Sequence, residues 1–224
     1  MIPLSIDAFT RRVSERLTLD VPTERQELFG ASVPAAAAGE AGPPPKPAAV
    51  LVPVVAKGEG TILLTQRAGD LPDHSGQIAF PGGKVDPGDA SPLETALREA
   101  EEEIGLSRVH VRPLGYIPPF LSRTGYLITP VVALVTPPFR LQPNPREVAD
   151  VFEVPLAFLM DPRNHQMQSR VWQGARRHFY AMPYGERYIW GITASILRNL
   201  WERLVADGAD RPQVTRLPHD EPLP

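Results

Sequence analysis

Apolar residues along this chain follow two periods, and the changes of period mark its elements. Ile6, Phe9, Val13 and Leu17 recur at helical spacing with arginine and glutamate between them, which predicts a short amphipathic helix before about Leu28. Ala48 to Ala56, AAVLVPVVA, is a continuous apolar run and reads as a buried strand, with Pro53 marking an edge or a bulge. Lys57 to Gly60 is a turn, Thr61 to Arg67 the next strand, and Gln77 to Phe80 a short one. Ser91 then offers an N-cap, Pro92 fits the first helical position, and Glu94 completes a capping box. Leu93, Leu97, Ala100 and Ile104 form the core-facing stripe of that helix, and Gly105 ends it. Strands rich in β-branched and aromatic residues follow at Val109 to Ile117 and Tyr126 to Val135, with the loop PPFLSRTG between them. Glu147 to Phe152 reads as a strand, a short helix runs to about Met160, and Arg176 to Met182 is a further strand. Tyr188 to Val205 is the closing helix, carrying Ile189, Ile192, Ile196, Leu197, Leu200 and Leu204 on its apolar face.

Strands, one acidic helix, more strands and a closing helix predict a mixed α/β sandwich with the sheet between helices. Gly30 to Pro47, GASVPAAAAGEAGPPPKP, is a Pro/Ala/Gly tether with too little apolar variety to build a core. The expected organisation is a helix and tether over 1–47, one catalytic domain over 48–206, and a disordered Pro-rich tail over 207–224. The first helix packs on the domain or, in a homodimer, on a partner subunit. A hydrophobic content of 42% with 22% charged residues is that of an ordinary soluble globule, and 224 residues suffice for one sizeable core. A net charge of −3 gives no bulk attraction to nucleic acid or anionic membrane, so an anionic ligand must be met by local cations or metal. The absence of cysteine excludes disulfides, thiolate zinc sites and cysteine nucleophiles. No apolar run approaches the ~18 residues that span a bilayer, and the N-terminus lacks a signal-peptide core, so the expected location is cytoplasmic.

The chemistry gathers on the central helix. Glu99, Glu102 and Glu103, at i, i+3 and i+4, cluster on a face apart from the apolar stripe. Such a cluster is usually a solvated acidic face. Carboxylates held this close also repel one another, and the all-oxygen donor set suits magnesium or manganese. The flanking residues decide between the two. R98-E99-A100-E101-E102-E103-I104-G105-L106 matches REUxEExGU, where U is aliphatic, and resembles the second half of the Nudix box. The first half departs from that signature: one extra loop residue is needed to bring Gly83 into place, with Asp89 standing where Glu is expected. Leu63 to Gly83, LLTQRAGDLPDHSGQIAFPGG, resembles the coenzyme A pyrophosphatase branch of the family in its LLTxR and HxGQxxFPGG segments. Pro72 stands where that branch often has a basic residue. The resemblance spans about Ala48 to Leu204 and is specific between Leu63 and Leu106.

The resemblance implies a Nudix-type α/β/α sandwich and a hydrolase of a diphosphate-linked small molecule, needing Mg2+ or Mn2+. It implies Glu99, Glu102 and Glu103 as metal ligands. The general base is a glutamate of the box or one from a later loop, where Glu147 stands. Arg98 reaches Glu102 at i+4 or Glu94 at i−4 and is expected to orient rather than react. Gly82 and Gly83 let backbone approach a diphosphate, or simply turn the chain. Arg67 is the foremost candidate to meet a substrate phosphate, followed by Arg123 and Lys84. His74 contacts substrate or caps a turn, and the other histidines fall in no ligand spacing. Three functions are compatible with these residues: a hydrolase of coenzyme A and its thioesters, a hydrolase of ADP-ribose, a nucleotide sugar or a dinucleoside polyphosphate, and a nucleotide-binding regulator without catalysis.

Overall fold

The first long apolar run forms β1 (Lys46–Val55), and the rest of the domain is arranged around it. The structure, a computed structural model, describes residues 5–22, 44–69, 75–122, 124–172 and 175–204. The body of the tether expected over 30–47, the tail expected after 206, His74 and Arg123 lie outside these residues; the end of the tether enters β1.

The main sheet runs β3 (Ile78–Ala79), β2 (Thr61–Arg67), β1, β7 (Tyr126–Val135), β5 (Val111–Tyr116). β4 (Gly82–Lys84) also pairs with β1, β6 (Phe120–Leu121) with β7, and β8 (Val148–Pro155) with β2. β1 and β7 are parallel along their full length and the other pairs are antiparallel, so the sheet is mixed. The edge reading of Pro53 is corrected: β1 is interior. Its Leu51 N–H donates to the Pro81 carbonyl, so by strand alternation Pro53 turns its missing donor to the same side. That side is the gap between the β4 pairing at Ala48–Val50 and the β2 pairing at Val54 and Val55, where β1 has no ladder to break.

Period-two alternation sends β1 and β2 side chains into two cores. Leu51, Val55 and Leu63 meet Ala96, Leu97, Ala100 and Ile104 of α2 (Pro92–Ile104) on one face. Val52, Val54, Ile62 and Leu64 meet Phe9 and Val13 of α1 (Ile6–Arg16) and Leu197 and Leu200 of α4 (Gly191–Leu204) on the other. A short α3 (Leu156–Leu159) follows β8 as expected. The result is a three-layer α/β sandwich, with α1 packed on the domain itself. Among the described residues no helix is long and apolar enough to cross a membrane.

The sequence reading differs from the fold at several element ends. The strand expected from Val109 begins at Val111, because Arg108–His110 form a 3-10 turn that leaves Val109 82% exposed. The loop PPFLSRTG contains β6, too short to show a period. β9 (Gln166–Trp172) was not anticipated, and β10 (Ala175–Tyr184) extends the expected strand at both ends. The closing helix starts at Gly191; Arg187–Trp190 form β11, which pairs with Tyr184–Ala181 of β10. Tyr188, Ile189 and Trp190 suit a strand, and the turn at Gly185 lets them fold back as a hairpin. β11-β10-β9 thus form a second, three-stranded sheet.

Candidate active site

Helix α2 begins as the sequence predicts, with Ser91 Oγ accepting from the Glu94 N–H at 3.3 Å and Pro92 in the first turn. The Glu94 carboxylate accepts from Arg108 Nη1 at 3.2 Å, and no return bond to Ser91 forms among the described residues. Gly105 closes the helix at φ 66°, donating back to Ala100 and Glu101. Beyond it the chain folds over the helix end: the Gln142 N–H donates to the Ile104 carbonyl and the Asn144 N–H to that of Glu103. Asn144 Nδ2 then donates to Glu147 Oε1 at 2.7 Å, and the Ala68 N–H donates to the Glu147 carbonyl. A helix cap therefore delivers a distant glutamate to the acidic face.

Glu103 is 4% exposed, a cost that an ionised carboxylate meets only with partners. Its Oε2 accepts from the Gly82 N–H at 3.1 Å, and Arg67 Nη1 stands 3.9 Å from its Oε1. Burial, reinforced by repulsion from Glu99 and Glu147, pushes its pKa up to about 7 against the pull of Gly82 and Arg67. Burial likewise raises Glu99, with Glu102 and Glu147 adding repulsion and Arg98 opposing it. The fold thus gathers Glu99, Glu103 and Glu147 closely enough to feel one another. Glu102 is the outlying member, its side chain 56% exposed.

Arg98 holds this face in shape. Its Nε and Nη2 grip Asp89 at 3.1 and 3.0 Å, Nη1 reaches Glu99 Oε1 at 3.1 Å and Glu102 Oε2 at 2.9 Å, and Nη2 meets the Lys84 carbonyl at 3.1 Å. Of its two helix partners, i+4 is the one used. Asp89 also accepts from Thr95 Oγ1 and the Asp86 N–H; Arg98 first, then that N–H, hold its carboxyl well below the usual range. The lengthened loop thereby brings Asp89 onto the arginine of the box.

Both glycines of the pair work by close approach. A Cβ at Gly82 would lie 2.4 Å from the Ala49 carbonyl oxygen, and one at Gly83 2.4 Å from Glu99 Oε1. Only bare backbone fits between β1 and the carboxylates. Arg67, Gly82, Gly83 and Lys84 line one side of a cleft of about 540 Å³. Tyr126 lies there as well, with Lys84 Nζ 5.8 Å from its ring centroid.

The family model for the NUDIX domain matches residues 45–173 of this chain. The chain belongs to the Nudix family. A protein described as an uncharacterized Nudix hydrolase, NudL, from Photorhabdus laumondii is 42% identical over 169 residues, 72% of this chain and 90% of that one. A NudL relative from Yersinia pestis is 42% identical over 157 residues, covering 70% and 79% of the two chains. Among solved structures, a Nudix hydrolase from M. smegmatis, RenU, superposes with a TM-score of 0.43 at 25% identity, over 54% of this chain and 74% of that one.

Nudix hydrolases generally use divalent metal ions, and the donor set of this Nudix helix fits one. Its carboxylates are crowded, two are raised by burial, and a Gly83 cradle leaves Glu99 room that any Cβ would fill. Among the described residues no three acidic or imidazole side chains close into a finished cage; Arg98 holds Glu99 and Glu102 meanwhile. The cleft also has a wall that the sequence did not disclose. Arg177, Phe179 and Trp190 line it from beyond the end of the Nudix match. Their only sequence signal was an arginine and aromatics on short strands, which many surfaces share.

Proposed function

We propose that this Nudix hydrolase cleaves the diphosphate of coenzyme A and its derivatives in a cytoplasmic setting, giving 3′,5′-ADP and 4′-phosphopantetheine or its acyl form. The observation that supports this reading is that the Leu63 to Gly83 stretch, LLTQR through FPGG, supplies Arg67, Gln77, Phe80, Gly82 and Gly83 to the cleft beside the carboxylates. One water molecule adds to one phosphorus, the bridging P–O bond breaks, and both phosphates leave as monoesters with two protons released. The thiol or thioester is untouched.

Glu99, Glu102 and Glu103, joined by Glu147, are the residues that would hold a Mg2+ or Mn2+. Such an ion neutralises diphosphate charge and lowers the pKa of bound water. Arg67 meets a diphosphate oxygen from beside Glu103, and the Gly82–Gly83 backbone lets the diphosphate approach. Lys84 adds positive charge at the rim, and Arg98, pinned by Asp89, sets the rotamers of Glu99 and Glu102. A carboxylate of the Glu99, Glu103 and Glu147 group orients the attacking water and takes its proton. His74 is assigned to substrate contact by its motif, and Arg123 as a further cation for a substrate phosphate.

The experiment compares coenzyme A, dephospho-coenzyme A and ADP-ribose at equal concentrations of magnesium or manganese, with products identified by mass. The expected result is turnover of coenzyme A to 3′,5′-ADP and 4′-phosphopantetheine. A preference for ADP-ribose would transfer the assignment to another nucleoside diphosphate derivative.

A further inference from the structure

The match to the NUDIX domain ends at residue 173, yet the cleft does not. Its far wall comes from the second sheet and the start of α4. By strand alternation and register, Arg170, Arg177, Phe179 and Trp190 share one face of that sheet: Arg177 lies directly opposite Arg170, and Trp190 opposite Ala181. Like charges directly opposite across a ladder are unfavourable. Among the described residues neither arginine has a carboxylate partner. Arg177 Nε is moreover buried without a hydrogen-bond partner among those residues, the condition that a bound anion relieves. Next to it Phe179 and Trp190 meet edge to face at 5.4 Å between centroids, forming an aromatic corner within the cleft.

This wall is fastened to the catalytic sheet. Arg187 of β11 donates to Gln66 of β2 and Asp150 of β8, with its guanidinium 4.4 Å from the centroid of Phe152. Thr193 Oγ1 in the first turn of α4 donates to the Ile78 carbonyl at 3.0 Å. Arg67 Nε is likewise buried without a partner among the described residues, but its Nη1 stands 3.9 Å from Glu103, at the carboxylates. Both cations line one cleft, Arg67 beside Glu103 and Arg177 on the strand that carries Phe179.

We propose that residues 175–196 form the specificity wall of the cleft, in which Arg177 takes a phosphate monoester carried by the nucleoside half of the substrate while Phe179 and Trp190 receive its base. The inference rests on the coenzyme A reading, where that monoester is the 3′-phosphate. It assigns substrate choice to a segment outside the matched Nudix core and diphosphate cleavage to the core.

The test is calorimetric binding of adenosine 3′,5′-bisphosphate and of adenosine 5′-monophosphate to the full chain, in wild type, Arg177→Gln and Arg177→Lys. A charge-assisted contact predicts that wild type favours the bisphosphate by about 10- to 100-fold, and that Arg177→Gln narrows the preference to about threefold or less, with Arg177→Lys between them. Arg177→Met replaces Arg177→Gln if the latter melts early. An unchanged preference in the Arg177 variants, or none in wild type, overturns the proposal. Coenzyme A turnover is followed separately. Failure to hydrolyse it, with the Arg177-dependent preference intact, sinks the substrate reading alone; turnover with an Arg177-independent preference sinks the wall alone.

Discussion

Glu103 and the two glycines before the helix are where single atoms decide the outcome. Replacing the Glu103 carboxylate by an amide keeps its size and an acceptor for the Gly82 N–H while removing one charge. We therefore expect Glu103→Gln to fold as wild type and to lose at least ~10²-fold in turnover. Near-normal rates in that variant, or full activity in excess chelator, would refute the carboxylate role. The glycines predict opposite phenotypes. At Gly83 the obstructing atom is the end of the Glu99 side chain, which can swing aside, so Gly83→Ala is expected to fold but lose activity, by about 10²-fold for a displacement near 1 Å. At Gly82 the obstruction is the Ala49 carbonyl of the central strand, which cannot move. Gly82→Ala should lower the melting temperature first. Paired melts and initial rates separate the two, and equal behaviour would show that the close approaches do not govern the site. The acidic face, its arginine and both glycines were legible in the sequence because they sit within one turn or one loop of each other. The bond from Asn144 that draws in Glu147, and the grip of Asp89 on Arg98, were not, since each depends on where a loop lands.

Among the elements, α1 follows the first of its two sequence expectations and packs on the domain: Phe9 and Val13 are fully buried, and Arg12 Nη1 reaches the Leu204 carbonyl of α4 at 3.4 Å. A Cβ on Gly115 of β5 would lie 2.6 Å from Leu17 Cβ, so strand and extension touch closely. Fully burying one such apolar side chain stabilises by ~1.5–3 kcal/mol, and three are at stake. A chain beginning at Lys46 is expected to lose several degrees or more of melting temperature, while its folded fraction keeps the wild-type kcat. Loss of turnover at a temperature where the shortened chain remains folded would place α1 in the site. β11 carries the complementary lesson. Ile189 fits a helical stripe as well as a strand, and only pairing with β10 settles which period the chain adopts.

At the scale of the molecule, stability below neutrality should bear the mark of His165. Its Nε2–H donates to the Leu159 carbonyl at 2.7 Å, its Nδ1 is buried without a partner among the described residues, and its ring meets Trp201 edge-on at 5.9 Å. Burial first, then Arg198 of α4, pull its pKa down to about 4, against Leu159 and Asp161. The unfolded chain takes a proton near pH 6.5 and the folded one near 4, so this contribution is complete above 6.5 and declines as pH falls towards 4. Over that window it amounts to on the order of 3 kcal/mol. Denaturant titrations at pH 4.5 and 7 should show a shallower loss for His165→Gln than for wild type, and identical slopes would refute the assignment. The comparison must be between the two proteins, because Glu103, raised to about 7, contributes with the opposite sign over overlapping pH.

Sequence alone carried the local outcomes: the start and stop of α2, the extents of β2 and β7, the burial of β1, and the family. These rest on capping, period and adjacency, interactions that reach a few residues along the chain. Tertiary structure alone decided which side of β1 could accept Pro53, that α1 belongs to the core, and that strands beyond the matched domain complete the cleft. Those outcomes depend on surfaces brought together from distant parts of the chain, where the same arginine or aromatic can stand at a wall or in water, and one-dimensional order carries no record of the difference.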